Sequence, residues 1–125
     1  MILGLGIDIV EISRVNSILD KHNSSFIKRI LSDEEKNKLK NKSNINEFCA
    51  GRWAVKEAFA KALGTGIGAK CKMNEISCVN DDSGKPMILL YGDTLQTFNQ
   101  LGAKNIFVSI SHEKNYACAN VIIEA

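Results

Sequence analysis

The segment Ile45–Leu63 constrains the fold most strongly, because its pattern of residues predicts a single long helix. Gly64 follows at the position where helices commonly end in a left-handed residue. The chain has 125 residues, and domains run at about 100 to 200 residues. We therefore expect one domain over residues 1–125, built around this helix.

The first strand is predicted at Ile2–Val10, where the side chains alternate between two faces. One face is apolar and the other combines two glycines with a carboxylate: Leu3, Leu5, Ile7 and Ile9 on the first, Gly4, Gly6 and Asp8 on the second. Glycines within a strand often allow a ligand or another backbone to approach closely. The apolar residues on both sides of Asp8 predict that this strand is central in its sheet.

Shorter elements are predicted around the long helix. A helix begins near Ser13 as its N-cap and is interrupted at Asn23–Ser25, and the capping box at Ser32–Glu35 begins a polar helix. Two strand pairs and a helix capped by Asp93 complete the chain: Glu75–Val79 with Met87–Tyr91, and Ile106–Ser111 with Tyr116–Ile123. This order predicts an α+β fold in which a largely antiparallel sheet packs with one long helix and several short helices.

Charge and composition argue against several classes of protein. The net charge of +2 is too balanced for a dedicated nucleic-acid binder, and no apolar run approaches the roughly 18 residues of a membrane span. The N-terminal stretch carries Asp8 and no basic leader, so it is typical of a strand and not of a signal peptide. The four cysteines include no CxxC pair, which argues against a zinc or redox site. We expect a cytoplasmic protein with reduced thiols that binds neither nucleic acid nor membrane.

Glu57 has two interpretations. Lys61 lies one helical turn further on, and a salt bridge between the two on a solvated face would contribute about a few tenths of a kcal/mol. The residues around Glu57 on the helix are apolar and mostly small: Ala50, Trp53, Ala54 and Ala60. A solvated face does not usually carry such neighbours. The second interpretation is therefore that Glu57 is a functional carboxylate.

Asp8 resembles Glu57 in having apolar neighbours. A buried carboxylate must be paired, protonated or bound to a metal ion. Two carboxylates from separate elements suit Mg²⁺, which usually takes one or two protein carboxylates and completes its octahedron with waters and phosphate oxygens. Asp8 and Glu57 therefore predict a magnesium site and suggest phosphate chemistry.

Two further features have alternative interpretations. The turn Gly64–Gly68 follows a helix instead of opening one, so it lacks the helix N-terminal dipole of a dinucleotide-binding loop. Close approach of a ligand to its backbone is still compatible with the sequence. His112 ends a strand on the same face as Val108 and Ile110. His112 is either a hydrogen-bonded histidine at a strand end or a residue of the functional site.

Three motifs, in this order and spacing, resemble the small holo-acyl-carrier-protein synthases, a class of 4′-phosphopantetheinyl transferases. They are GIDIV at Gly6–Val10, WAVKEAFAK at Trp53–Lys61 and SISH at Ser109–His112. Glu11–Arg14 and Ala62–Gly66 extend the resemblance, which covers essentially the whole chain. Each motif alone is weak, and their joint order makes the match specific.

The resemblance implies a 4′-phosphopantetheinyl transferase-like fold and a reaction. The enzyme would transfer the phosphopantetheine arm of coenzyme A to a serine of apo acyl carrier protein for fatty acid biosynthesis, releasing adenosine 3′,5′-bisphosphate. It implies a Mg²⁺ ion bound by Asp8 and Glu57, with Lys61 neutralising the pyrophosphate of coenzyme A. Asp8, Glu57 and Lys61 are thus the predicted catalytic residues.

The resemblance also implies binding partners. Besides Lys61, the residues expected to line the nucleotide part of coenzyme A are Arg52, Gly64, Gly66 and His112. Arg14 and Lys21 would contact an acidic helix of the carrier protein, and Lys28 and Arg29 would extend that basic strip. Members of the small class form homotrimers with active sites between subunits, so the same assembly is expected here.

Val10 stands where the larger relatives carry a second acidic residue, which matches the small class with two carboxylate ligands. The general base is either Asp8 or a metal-bound water. The metal ion is either magnesium or manganese.

The alternative function is a non-catalytic coenzyme A or nucleotide binding module on the same scaffold. A third possibility is a structural α+β domain whose acidic residues are surface charges.

Overall fold

The fold consists of five strands, four α-helices and one 3-10 turn in a computed structural model that describes residues 1–125. In chain order the elements are β1 (Ile2–Glu11), α1 (Ile12–Ile30), α2 (Asp33–Leu39), α3 (Ile45–Leu63), the 3-10 turn (Met73–Glu75), β2 (Ile76–Asn80), β3 (Pro86–Leu90), α4 (Gly92–Gln100), β4 (Asn105–His112) and β5 (Tyr116–Glu124). All strand pairs are antiparallel. The predicted α+β class is confirmed.

Helix α3 has the predicted bounds, and both ends are fixed locally. The side chain of Asn44 accepts a hydrogen bond from the backbone N–H of Glu47 at 3.0 Å, which caps the first turn. Gly64 ends the helix with a φ of +90°, a left-handed conformation that costs glycine little. The helix lies against the inner face of the strands β1, β5 and β4, and almost every residue from Phe48 to Leu63 is buried or half-buried.

The strands form two sheets. One has the order β1-β5-β4 and the other pairs β2 with β3. The expectation that β1 is central was wrong, because β1 pairs with β5 alone and forms an edge. Its apolar residues Leu5, Ile7 and Ile9 lie on the outer face of the sheet and are 56–66% exposed. They therefore reflect an uncovered face and not a position between two strands.

The glycines of β1 allow another backbone, and not a ligand, to approach. A Cβ atom at Gly6 would lie 1.8 Å from the carbonyl oxygen of Ala58, and one at Gly4 would lie 1.7 Å from that of Ala62. Both contacts are with helix α3, so strand and helix pack with their backbones close together. This close packing places Asp8, the next inward-facing residue of β1, beside α3.

Helix α1 differs in detail from its prediction. Its N-cap is Glu11, and Ser13 lies within the first turn, where its hydroxyl donates to the Glu11 carboxylate at 2.6 Å. The interruption expected at Asn23–Ser25 is a kink at His22, which has φ −140° and ψ 40° within an otherwise continuous helix. Helical spacing resumes after the kink, so both halves of α1 contribute to one buried face.

Asp93 does not cap α4, contrary to expectation. The N-cap is Tyr91, and its side chain makes no capping bond. The carboxylate of Glu75 supplies the missing acceptor, since it receives the backbone N–H and the hydroxyl of Thr94 at 3.1 Å and 2.8 Å. A cap from a distant part of the chain was not visible in the local sequence.

The capping box at the start of α2 is confirmed, and its glutamate has a second role. Glu35 accepts the backbone N–H of Ser32 at 2.8 Å, and its other oxygen accepts the N–H of Cys78 at 2.9 Å. Glu35 also forms a completely buried ion pair with Lys56 of α3. Burial lowers the pKa of Lys56, although the Glu35 carboxylate opposes that shift. The pair ties α2, α3 and β2 together.

No helix in the chain is both long enough and apolar enough to span a bilayer.

Candidate active site

The two predicted carboxylates line one surface cavity. Asp8 of β1 and Glu57 of α3 both contribute to a cavity of about 360 Å³, which Arg14 and Trp53 also line. The Asp8 side chain is 18% exposed, and Glu57 is half-buried. Packing of β1 on α3 therefore brings together two acidic groups that are far apart in sequence.

Lys61 pairs with Asp8 and not with Glu57. Its Nζ lies 3.2 Å from Asp8 Oδ1 and donates to the carbonyl oxygen of Ile7 at 2.9 Å. The interpretation of Glu57 and Lys61 as a salt bridge within the helix was wrong. The reason is the close approach of β1 to α3, which puts a carboxylate of the neighbouring strand within reach of the lysine.

Glu57 has no cationic partner in the chain. Its Oε1 accepts the indole N–H of Trp53 at 3.2 Å, and its Oε2 makes no hydrogen bond within the chain. A half-buried carboxylate with one free oxygen at a cavity can take a cation there. The position is therefore suited to a bound cation.

The donor set fits Mg²⁺. Asp8 and Glu57 offer hard carboxylate oxygens, and Asp8 Oδ2 and Glu57 Oε2 have no hydrogen-bond partner in the chain. Magnesium binds proteins through one or two carboxylates and keeps several waters or phosphate oxygens. No group of three or more His, Cys, Asp or Glu side chains is arranged to hold a metal ion elsewhere. Two carboxylates are enough for this ion.

A second cavity adjoins the first across Trp53 and Glu57. It has about 420 Å³, and its further lining residues are Arg29, Ile67, Gly68, Lys72, Met73 and Asn74. The glycine turn after α3 thus borders this cavity through its later residues, while Gly64 and Gly66 do not line it. Glu57 lines both cavities, so a ligand in either one can reach its carboxylate.

The end of the glycine turn is hydrogen-bonded to a buried cysteine, Cys71. Gly68 and Cys71 exchange two backbone hydrogen bonds at 3.0 and 3.2 Å. Burial raises the pKa of the Cys71 thiol to about 11. A thiol that stays protonated at neutral pH is a poor nucleophile, so Cys71 has a packing role. All four cysteines are free thiols.

The predicted basic strip lies on the exposed side of α1. Arg14, Lys21, Lys28 and Arg29 are all exposed. Arg14 lies at the cavity, with its guanidinium 5.6 Å from the ring centre of Trp53. Arg14 thus lines the carboxylate cavity, and Arg29 lines the adjoining cavity.

Arg52 and His112 lie apart from the carboxylates. Arg52 is only 7% exposed, donates to the Asn80 side chain at 3.3 Å and lies over the ring of Phe48. Its Nε makes no hydrogen bond but lies 3.8 Å from a carboxylate oxygen of the buried Glu35. His112 faces α3, where its Nε2 would lie 2.6 Å from a Cβ at Gly51. Neither residue lines the two cavities, so their predicted nucleotide contacts are not formed beside Asp8 within one chain.

Sequence reasoning missed two residues. Glu35 was recognised only as part of a capping box, and no local signal indicated its burial against Lys56. Trp53 was noted only as an apolar neighbour of Glu57. Its spacing of one turn from Glu57 was a usable signal, because residues four apart on a helix face each other.

The chain belongs to the 4′-phosphopantetheinyl transferase superfamily, whose family model matches residues 4–121. Among individual relatives, it is 42% identical over 123 residues to the holo-[acyl-carrier-protein] synthase of Natranaerobius thermophilus, with 98% of each chain covered. It is 47% identical over 127 residues to that of Geobacillus sp., covering 99% of this chain and 98% of the relative. The resemblance inferred from the three motifs is thereby confirmed.

Solved structures agree. The holo-[acyl-carrier-protein] synthase from Neisseria meningitidis superposes with a TM-score of 0.96 at 33% identity, covering 100% of both chains. The synthase from Bacillus anthracis in complex with CoA (3′,5′-ADP) gives a TM-score of 0.85 at 40% identity, covering 100% of this chain and 98% of the other. The expected phosphopantetheinyl transferase-like fold is confirmed.

Proposed function

We propose that this chain transfers the 4′-phosphopantetheine group of coenzyme A to a serine of apo acyl carrier protein, releasing adenosine 3′,5′-bisphosphate, for fatty acid biosynthesis. The observation that carries the proposal is the pair Asp8 and Glu57 at one cavity, with Lys61 bonded to Asp8. Relatives solved with coenzyme A, from Bacillus anthracis and Helicobacter pylori, support coenzyme A as the substrate.

The residues of the cavity have distinct roles in this proposal. Phosphoryl transfer depends mainly on positioning and on stabilising negative charge. Asp8 and Glu57 would hold Mg²⁺, and the ion would offset the charge of the pyrophosphate. Lys61 fixes Asp8 from one side and adds a positive charge near the leaving phosphate. The serine proton passes either to the Asp8 carboxylate or to a water.

The exposed strip on α1 is the proposed docking surface for the carrier. Arg14 and Lys21 lie on the same helix as Lys28 and Arg29, and all four are exposed. An acidic carrier helix is electrostatically complementary to such a surface, which favours fast and specific encounter. Arg14 lies at the carboxylate cavity, so a carrier bound along α1 presents its serine near Asp8 and Glu57.

We further propose a homotrimer with active sites between subunits. The outer face of the β1-β5-β4 sheet carries exposed apolar residues, among them Leu5, Ile7, Ile9 and Phe107. Several exposed apolar residues on one sheet face commonly mark an interface. In this arrangement Arg52, Gly64, Gly66 and His112 contact the nucleotide at the subunit boundary.

The proposal covers one transferase domain over residues 1–125, acting in the cytoplasm on an acyl carrier protein and on coenzyme A, with neither a nucleic acid nor a membrane as partner.

A direct test uses the purified chain with coenzyme A, apo acyl carrier protein and Mg²⁺. Mass spectrometry should show the carrier gaining one phosphopantetheine group, with adenosine 3′,5′-bisphosphate released in equal amount. A chelator should stop the reaction and added Mg²⁺ should restore it. Binding of coenzyme A without product would support the non-catalytic module, and no binding at all would support a structural domain.

A further inference from the structure

Trp53 is the only tryptophan of the chain and makes the only hydrogen bond to the Glu57 carboxylate. Its indole Nε1 donates to Glu57 Oε1 at 3.2 Å. An indole N–H can only donate, so its partner must be an acceptor such as an ionised carboxylate. The bond fixes one carboxylate oxygen and leaves Oε2 without a partner in the chain.

The indole ring is itself fixed by a buried side chain. Phe26, which is 2% exposed, meets the ring edge-on with centroids 5.4 Å apart. The two residues join α1 to α3, so the position of the ring follows the packing of these helices. The Arg14 guanidinium lies against the same ring, at 5.6 Å from its centre.

We infer that Trp53 is a positioning residue, whose N–H orients the Glu57 carboxylate so that Oε2 faces the metal position. The inference rests on the proposed function, because Glu57 is there a magnesium ligand. Groups that hydrogen-bond to a ligating side chain fix its direction, and their loss typically lowers metal affinity or activity by about 10- to 100-fold. Packing alone would require a large apolar ring here and no donor.

Trp53→Phe separates these two roles. The substitution keeps an aromatic ring for Phe26 and Arg14 and removes only the N–H donor and part of the ring area. We expect the dissociation constant for Mg²⁺, measured by calorimetry in the presence of coenzyme A, to rise about tenfold. The Michaelis constant for the carrier should change little, because Arg14 retains a ring to lie against.

Tyr91→Phe provides a matched control. The Tyr91 hydroxyl donates to Glu34 Oε1 at 2.9 Å, so this change also removes an aromatic donor from a glutamate, away from both cavities. It should leave the Mg²⁺ dissociation constant unchanged. Thermal unfolding of both variants is the check that each is folded.

Fluorescence gives a readout that does not depend on turnover. Because Trp53 is the only indole and touches Glu57, adding Mg²⁺ in the presence of coenzyme A should change its emission, and Glu57→Gln should remove that response. Unchanged Mg²⁺ affinity in folded Trp53→Phe, together with no emission response in the unmodified chain, would overturn the inference. Transfer by the unmodified chain would still stand in that case. If Trp53→Phe binds Mg²⁺ more weakly but the unmodified chain transfers no phosphopantetheine, the positioning role of Trp53 is upheld and the proposed function is refuted.

Discussion

Lys61 determines the balance of charge among the carboxylates. Its ammonium group bonds to Asp8 and to the carbonyl of Ile7, and Glu57 forms no salt bridge, although Arg14 lines the same cavity. Asp8, Glu11 and Glu57 line the cavity with the Arg14 guanidinium, and Lys61 pairs with Asp8, so the cluster keeps a net negative charge that attracts a divalent cation. The same lysine, half-exposed at 53%, remains accessible to a phosphate group.

A substitution of Arg14 tests whether the exposed strip on α1 binds the carrier. Arg14→Glu should raise the Michaelis constant for the carrier by about tenfold, equivalent to about 1.4 kcal/mol, because it places a like charge against an acidic partner. The Michaelis constant for coenzyme A should change far less, as steady-state kinetics with each substrate varied will show. Lys40→Glu, an exposed change after α2, is the matched control. A similar rise for both substrates in Arg14→Glu would indicate a structural role for Arg14.

The contact between β1 and α3 positions the site, and two glycines make it possible. Gly6→Ala would put a Cβ atom 1.8 Å from the Ala58 carbonyl oxygen, so strand and helix would have to separate. We expect this change to lower the free energy of unfolding by about 3 kcal/mol. Chemical denaturation measures the difference.

Gly68→Ala is the control for this prediction. A Cβ atom at Gly68 would meet nothing within 4 Å, and its φ lies outside the left-handed region. The unfolding free energy should stay close to that of the unmodified chain. Equal and small losses in the two variants would show that β1 does not require the close approach to α3.

The limits of sequence reasoning also appear between elements. The bounds of α3 were predictable because capping and helical periodicity are local, as Asn44 and Gly64 illustrate. The edge position of β1 was not predictable, because it depends on pairing with β5 at the other end of the chain. Likewise, helical spacing indicated Glu57 as a partner for Lys61, while the folded chain supplied Asp8. Asp8 and Glu57 themselves were predictable as a pair, since both are acidic groups among apolar neighbours.

The molecule as a whole leaves one sheet face uncovered. Ile7→Glu places a charge at the middle of that face, where burial against another subunit would be costly. Sedimentation should show the unmodified chain as a trimer and Ile7→Glu as smaller species. Leu101→Glu changes an exposed apolar residue just after α4 and should leave the trimer intact. A trimer that persists in Ile7→Glu would show that the subunits meet elsewhere.

Loss of one carboxylate tests most directly whether the cavity performs the transfer. The measurement is the rate of Mg²⁺-dependent phosphopantetheine addition to apo carrier by Glu57→Gln, compared with Glu47→Gln near the start of the same helix. Glu57→Gln should be folded and lose transfer, because an amide is a weak ligand for Mg²⁺ and carries no charge. Glu47→Gln should retain it. Full activity of folded Glu57→Gln would contradict the assignment of this site.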